Sequence, residues 1–212
     1  MKAVIVAAGG VSDAVLPYVR AADLRVAADG GAAALLAWGL LPQAAVGDFD
    51  SLDEETLGRL ERLGCPLMQV QPEKDETDTE LAVRYALERG ADWITLVGAI
   101  GSRLDHTWAN LTLLARLAQE GIRAQAVSPP LTVYATADQL TVSGRPGDIV
   151  SVFPALGGAE GVTEVGFKYA LTDRTLAAGT ILGVSNELRA EQGTIAVRAG
   201  VLLVFHYRQE RG

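Results

Sequence analysis

Over its first 128 residues the sequence alternates short apolar, β-rich runs with segments of helical character, and this alternation constrains the fold most. The strand-like runs go from Lys2 to Ala8, Leu24 to Ala28, Ala44 to Gly47, Pro66 to Val70, Trp93 to Val97 and Ala124 to Ser128. Between them lie helix-like stretches. The spacing predicts helices from Ser12 to Ala21, over AAALLAWG up to Gly39, from Asp53 to Leu63 with Gly64 as its stop, over TELAVRYALERG, and from about His106 to Gln119. Strands alternating with helices of this length imply right-handed βαβ units around a mostly parallel sheet, a Rossmann-like α/β domain. Ligands of such sheets bind beyond the carboxyl ends of the strands.

Pro129-Pro130 marks a change of pattern. From Leu131 on, short alternating runs such as LTVYAT, QLTVSG and DIVSVFPAL are punctuated by Gly and Pro, and the tail GTIAVRAGVLLVFHYR reads as a hairpin. The expectation is an α/β domain over 1–128, followed by an all-β domain of sandwich or barrel type over 129–212.

Polar clusters follow four of the expected strands: Asp29-Gly30-Gly31, the run VGDFDS (46–51), the loop from Lys74 to Asp78, and GAIGSRLDH (98–106). All four therefore open onto one sheet edge. Asp48 and Asp50 are two apart at a strand end, so they project to the same side and repel. A hard divalent cation such as Mg²⁺ relieves this most simply, because it takes oxygen ligands and bridges carboxylates to phosphate. Ser51 with Glu54 fits a capping box for the next helix, which accounts for the serine but not for the two acids before it. Asp75 and Asp78 are three apart at a helix start; compensation of the helix dipole competes there with a ligand role. Lys74 is either a solvated lysine or a phosphate contact. Arg103 and Asp105 either stiffen their Gly-flanked loop as a pair or meet a ligand. His106 and Asn110 read as structural neighbours, and His206 as structural.

Composition narrows the classes. A formal charge of −8 and the absence of a basic stripe argue against a nucleic-acid partner. No apolar run approaches a membrane span, and MKAVIVAAGG reads as a first strand rather than a signal peptide. The lone Cys65 cannot form an intrachain disulfide and reads as a small buried residue, which suggests a cytoplasmic location. Phosphate-loop and dinucleotide-turn motifs are missing, and Ser51, Ser102 and Ser185 lack the partners of a nucleophilic triad. Positioning and charge neutralisation remain, and these are what phosphoryl-type transfer chiefly needs.

The set DGG (29–31), GDFDS (47–51), KDETDTELA (74–82), GSRLDHTWANL (101–111) and SNE (185–187) resembles, in order and across nearly the whole chain, the thiamine pyrophosphokinase family. The resemblance implies an α/β domain that binds MgATP and a β-sandwich domain that completes a thiamine pocket across a homodimer interface. The implied reaction moves the terminal pyrophosphoryl group of ATP to the hydroxyethyl oxygen of thiamine and releases AMP. Carried over by position, Asp48, Asp50 and Asp78 look like the metal-organising acids. Asp29, Gly30 and Arg103 would face the nucleotide, and Asp105 would lie near the transferred phosphates. Lys74, Thr77 and Asp78 match positions near the vitamin, and Ser185 and Asn186 resemble a contribution from the partner subunit. Two departures stand out: Gly101-Ser102 where the family often has two glycines, and Asp78-Thr79-Glu80 where it often has Asp-Leu-Glu. Asp78 or Asp105 is the expected proton acceptor.

Three other readings compete. In a haloacid-dehalogenase-type phosphatase, DFD would hold the nucleophile, but Leu52 and Asp53 depart from that motif and the strand is third rather than first. A pyrophosphokinase for a pterin alcohol would lack the second domain. A non-catalytic nucleotide- or thiamine-binding module would not need the acids for turnover.

Overall fold

A computed structural model of the chain describes residues 1–71 and 75–209. The chain divides into two compact units, Met1–Asn110 and Leu111–Gly212.

In the first unit, β1 (Lys2–Val6), β2 (Leu24–Ala28), β3 (Ala44–Gly47), β4 (Leu67–Gln69) and β5 (Trp93–Val97) form a wholly parallel sheet in the order β4-β3-β2-β1-β5. The central strands are continuous apolar runs because both faces are covered: Val4, Ile5, Val26, Ala45, Ile94 and Leu96 are all fully enclosed. The helices are α1 (Leu16–Arg20), α2 (Gly31–Ala37), α3 (Glu54–Arg62), α4 (Asp78–Glu88) and α5 (Leu104–Gln119), the last of which runs on into the second unit. Helix α2 packs on β1 and β2, and α4 across β1, β2 and β3. Gly31 lets α2 start hard against β1, since a Cβ there would lie 1.8 Å from the Val6 carbonyl oxygen. From β1 the chain steps outward through β2, β3 and β4, then returns to place β5 on the other side of β1. The order therefore reverses between β1 and β5, where open parallel sheets leave a crevice for ligands.

Several local expectations are corrected. The segment from Ser12 to Ala21 is a 3₁₀ turn (Asp13–Val15) followed by the single-turn α1, and Ser12 makes no capping bond. Pro17 in the first turn of α1 has no N–H to give to a longer helix upstream. Helix α3 is capped by Asp53, whose carboxylate accepts from the Thr56 amide at 2.7 Å, and not by Ser51. Helix α4 is capped by Thr77, so Asp75 lies ahead of the helix and does not share a helical face with Asp78. Helix α5 starts at Leu104, which puts Asp105 in its first turn rather than in the loop.

The second unit holds the latter part of α5 and the strands β6 (Arg123–Ser128), β7 (Leu131–Thr136), β8 (Gln139–Ser143), β9 (Ile149–Val165), β10 (Arg174–Leu176), β11 (Asn186–Glu187), β12 (Gln192–Ala196) and β13 (Ala199–Tyr207). Strand β6 follows α5 as the alternation predicts, and it pairs antiparallel with β7, because a two-residue link at 129–130 can only close a hairpin. The boundary between the two compact units falls inside α5. The strand order is β6-β7-β13-β9-β12-β8, with β10 and β11 also on β9.

The tail is not a hairpin. Strand β9 lies between β12 and β13: its stretch from Ile149 to Glu160 pairs with β13, and its end, Thr163 to Val165, with β12. A strand this long bends to serve both partners. Leu156 (φ 54°) and Gly161 (φ 68°) adopt left-handed backbone along it, and its register with β13 shifts at Ala199/Val201. Val150, Val152, Phe167, Leu188, Ile195 and Leu202 are among the residues of the core it wraps.

Candidate active site

The crevice at the reversal point of the first unit is a cleft of about 500 Å³. Its walls are strand ends and the loops that follow them: Ala7 to Gly10 after β1, Ala28 at the end of β2 with Asp29 after it, Asp48 after β3, Thr77 to Thr79 at the start of α4, and Gly98, Ala99 and Gly101 to Arg103 after β5. His106, Thr107 and Asn110 of α5 close one side.

The acids sit where backbone geometry puts them. Asp29 holds a left-handed conformation (φ 47°) directly after β2, with its amide bonded to the Val46 carbonyl at 2.8 Å. Gly47 makes this approach possible, since a Cβ there would sit 3.1 Å from the Asp29 Cα. Phe49, also left-handed (φ 62°), is buried and anchors the loop between Asp48 and Asp50. The result is convergence: one carboxylate oxygen from each of Asp29, Asp48 and Asp50 lies within 4.8 Å of the others. Asp48 also accepts from the Asp50 amide at 3.2 Å.

Such crowding has an electrostatic signature. The Asp50 carboxyl is pushed above its ordinary pKa, first by the charge of Asp48, then by partial desolvation and by Asp29, with smaller contributions from its hydrogen bond to Asp48 and from Asp78. The Ser51 hydroxyl donates to Asp29 Oδ2 at 2.6 Å, while Asp29 Oδ1 is buried without a hydrogen-bond partner. A buried carboxylate oxygen left unpaired beside two other acids fits a cation, and the all-oxygen donor set fits a hard one.

Asp78 lines the same cleft at the first turn of α4, outside the tight group of three. Thr77 also lines it, and its hydroxyl oxygen accepts from the Glu80 amide at 3.2 Å as the helix cap. Arg103 reaches the cleft but is paired with Asp105, Nη2 to Oδ2 at 2.6 Å and Nε to Oδ1 at 3.3 Å. That pairing raises the Arg103 pKa and, with smaller help from the His106 amide and the Arg103 and His106 charges, holds Asp105 below the usual carboxylate range. Asp105 is exposed and is not part of the cleft wall. Gly30 sits at the head of α2, with Ser51 Oγ 3.0 Å from where its Cβ would be. Lys74 lies outside the described residues.

Asn110 lies one turn after His106 on α5, and both line the cleft. The Asn110 side-chain amide donates to the Ala99 carbonyl at 2.8 Å and so fixes the loop after β5. Cys65 is buried, with its thiol 3.4 Å from the Pro42 carbonyl oxygen, and burial raises its pKa. His206 is wholly buried and bonded to Asp148 at 2.9 Å. The loop of Ala7 to Gly10 was passed over in the sequence. Its signal was Gly9-Gly10 directly after the first strand, where a Cβ on Gly9 would lie 2.1 Å from the Gly98 carbonyl oxygen.

In the second unit, Ser185 is exposed with φ 60°, and its amide donates to the Ser151 hydroxyl at 3.0 Å. Asn186 beside it is buried.

Comparison with known proteins covers both halves of the chain. Residues 15–126 match the family model for the thiamin pyrophosphokinase catalytic domain, and residues 139–202 that for the thiamin pyrophosphokinase vitamin B1 binding domain. The chain belongs to the thiamine pyrophosphokinase family. It is 30% identical to the thiamine pyrophosphokinase of Bacillus subtilis (strain 168) over 209 residues, covering 96% of this chain and 98% of that protein. Among solved structures of the family, the B. subtilis thiamine pyrophosphokinase superposes with a TM-score of 0.89 at 28% identity, covering 99% of this chain and 100% of the other. The thiamin pyrophosphokinase of Geobacillus thermodenitrificans gives 0.86 at 31% identity, with 99% of each chain covered. That of Candida albicans, at 14% identity, shares the fold with a TM-score of 0.81 over 97% of this chain and 90% of the other.

Proposed function

We propose that this chain is a thiamine diphosphokinase, transferring the pyrophosphoryl group of MgATP to the hydroxyethyl oxygen of thiamine to give thiamine diphosphate and AMP. The observation that carries the reading is the convergence of Asp29, Asp48 and Asp50 at the crevice between β1 and β5, with Asp29 Oδ1 buried and unpaired.

Asp48, Asp50 and Asp78 would hold Mg²⁺, with Asp29 completing the acidic set. When bound, the cation neutralises charge on the phosphate oxygens of ATP. Gly9 and Gly98 let the loops after β1 and β5 pack backbone to backbone at the floor of the cleft, Gly10 leaves open space beside them, and Arg103 supplies positive charge to the transferring group. The thiamine hydroxyl oxygen bonds to the β-phosphorus as the bond from that phosphorus to the AMP oxygen breaks. The hydroxyl proton passes to a carboxylate. Asp78, which lines the cleft, and Asp105, beside Arg103, are the two carboxylates at hand, and position favours Asp78. Acidic walls also suit thiamine, whose thiazolium ring is permanently cationic.

The wider reading is a homodimer in the cytoplasm, with the Ser185 segment of one copy completing the cleft of the other. The first unit reads as Rossmann-like on its parallel order with a reversal at β1 and β5. The second reads as a sandwich on the way β9 serves two sets of partners.

The test is incubation with thiamine and MgATP, following products by chromatography. AMP and thiamine diphosphate are expected in equal amounts. ADP in place of AMP would overturn the proposed transfer, and phosphate release without an acceptor would favour a phosphatase.

A further inference from the structure

Asn186 is buried, with 4% of its surface exposed, and its side chain is completely committed within the second unit. Oδ1 accepts from the amides of Tyr169 and Glu187, both at 2.9 Å. Nδ2 donates to Glu164 Oε2 at 2.7 Å and to the Tyr169 carbonyl at 3.0 Å. An asparagine amide offers two donor hydrogens and two acceptor lone pairs, so no position is left for a ligand. Glu164, on β9, is 2% exposed and bonds its carboxylate to Asn186. Around this pair lie groups that do face solvent. Tyr169 is 63% exposed, Ser185 is exposed on strained backbone, and Lys168 pairs with Glu187 at 2.9 Å.

We propose that Asn186, held by Glu164, is a positioning residue that clamps the 168–169 and 185–187 segments together, so that its neighbours rather than its own amide meet thiamine. This rests on the reading of the second unit as vitamin-binding. It departs from the simple transfer of a ligand-contacting role to Asn186. Burial supports the assignment, since a buried amide with every hydrogen bond made rigidifies the segments it joins.

The test uses the full-length enzyme with Asn186→Ala, Glu164→Met and Glu164→Gln, measuring kcat, KM for thiamine and for ATP, and amide hydrogen exchange. Glutamine keeps an acceptor for Nδ2, whereas methionine fills the space without one. Asn186→Ala and Glu164→Met both remove the Asn186–Glu164 bond and are expected to raise the thiamine KM by at least about 10-fold, with kcat and the ATP KM nearly unchanged. Glu164→Gln should stay close to wild type. Both disruptive variants should speed exchange at the Tyr169 and Glu187 amides. The double variant should be no worse than Asn186→Ala alone, as expected for residues acting through one another. A raised thiamine KM in Asn186→Ala with a wild-type value in Glu164→Met would overturn the proposal in favour of direct contact. Unchanged exchange at the two amides in Asn186→Ala would overturn it too, and that measurement decides alone should Glu164→Met fail to fold. Failure of the wild-type enzyme to make thiamine diphosphate is a separate outcome, which removes the functional reading itself.

Discussion

At the scale of single residues, the cleft depends on side chains that hold other side chains. Ser51 reads in the sequence as a helix cap, yet its hydroxyl goes to Asp29, 22 residues earlier. No local pattern could announce that bond, because it exists only once β2 and β3 lie side by side. Ser51→Ala should leave folding intact and raise the Mg²⁺ concentration for half-maximal activity about 10-fold, the usual effect of losing an outer partner of a metal-site carboxylate. A titration identical to wild type would show that Asp29 needs no such support. Glu164 makes a second residue-scale prediction. Burial, partly offset by the Asn186 hydrogen bond, pushes its carboxyl up from 4.5 to about 7. Between those values the folded chain keeps a proton that the unfolded chain has lost, so this group's contribution to stability falls as pH rises. It is fully present below about 4.5 and lost through about 7. Thermal melts from pH 5 to 8 should therefore converge at the acidic end, with Glu164→Gln melting higher at pH 8. Parallel curves for the two proteins would mean that Glu164 does not titrate in this range.

At the scale of elements, legibility follows the range of the interactions. Strands β2, β3 and β5 stand where the apolar runs put them, since each is a buried parallel strand whose composition alone marks it. Caps were harder, because Asp53 and Ser51 are both good cap residues and only backbone geometry chooses between them. Strand partnership was harder still. The segments β12 and β13 look like a hairpin by spacing, and β9 separates them because it is long enough to bond to both. The contact between α2 and β1 lends itself to a substitution. Gly31→Ala puts a methyl 1.8 Å from the Val6 carbonyl oxygen, which only backbone movement can relieve, and should cost more than about 3 kcal/mol. Gly39→Ala is the control. Its φ of 70° is unfavourable to alanine, but nothing lies within 4 Å of the added carbon, so the cost should be about 1 kcal/mol. Urea titrations of both variants check the contrast. Equal midpoints would mean that α2 can slide on the sheet freely.

At the scale of the whole molecule, the proposed reaction requires an acidic chain of net charge −8 to bind a polyanion. Net charge alone would repel ATP, and the cleft adds to the repulsion by gathering Asp29, Asp48, Asp50 and Asp78 within or beside it. This arrangement was legible in the sequence as four polar clusters after four strands, but the grouping was not. Asp29 joins Asp48 and Asp50 closely while Asp78 stands apart, a distinction set by the left-handed backbone at Asp29 and the glycine at position 47. The consequence is that nucleotide and cation should bind only together. A ligand present at 100 times its Kd stabilises a protein by about 2.7 kcal/mol, which at this size is a rise in Tm of roughly 5–10 °C. MgATP should give such a rise, whereas ATP with excess chelator and Mg²⁺ alone should each give little. Asp48→Asn should abolish the MgATP shift while leaving the unliganded melting temperature the same or slightly higher, because one source of repulsion is gone. The readout is thermal and does not depend on turnover, so it separates binding from chemistry. A full shift with ATP in chelator would mean that the carboxylates do not bind through a metal, and the Arg103 side of the cleft would have to hold the phosphates unaided.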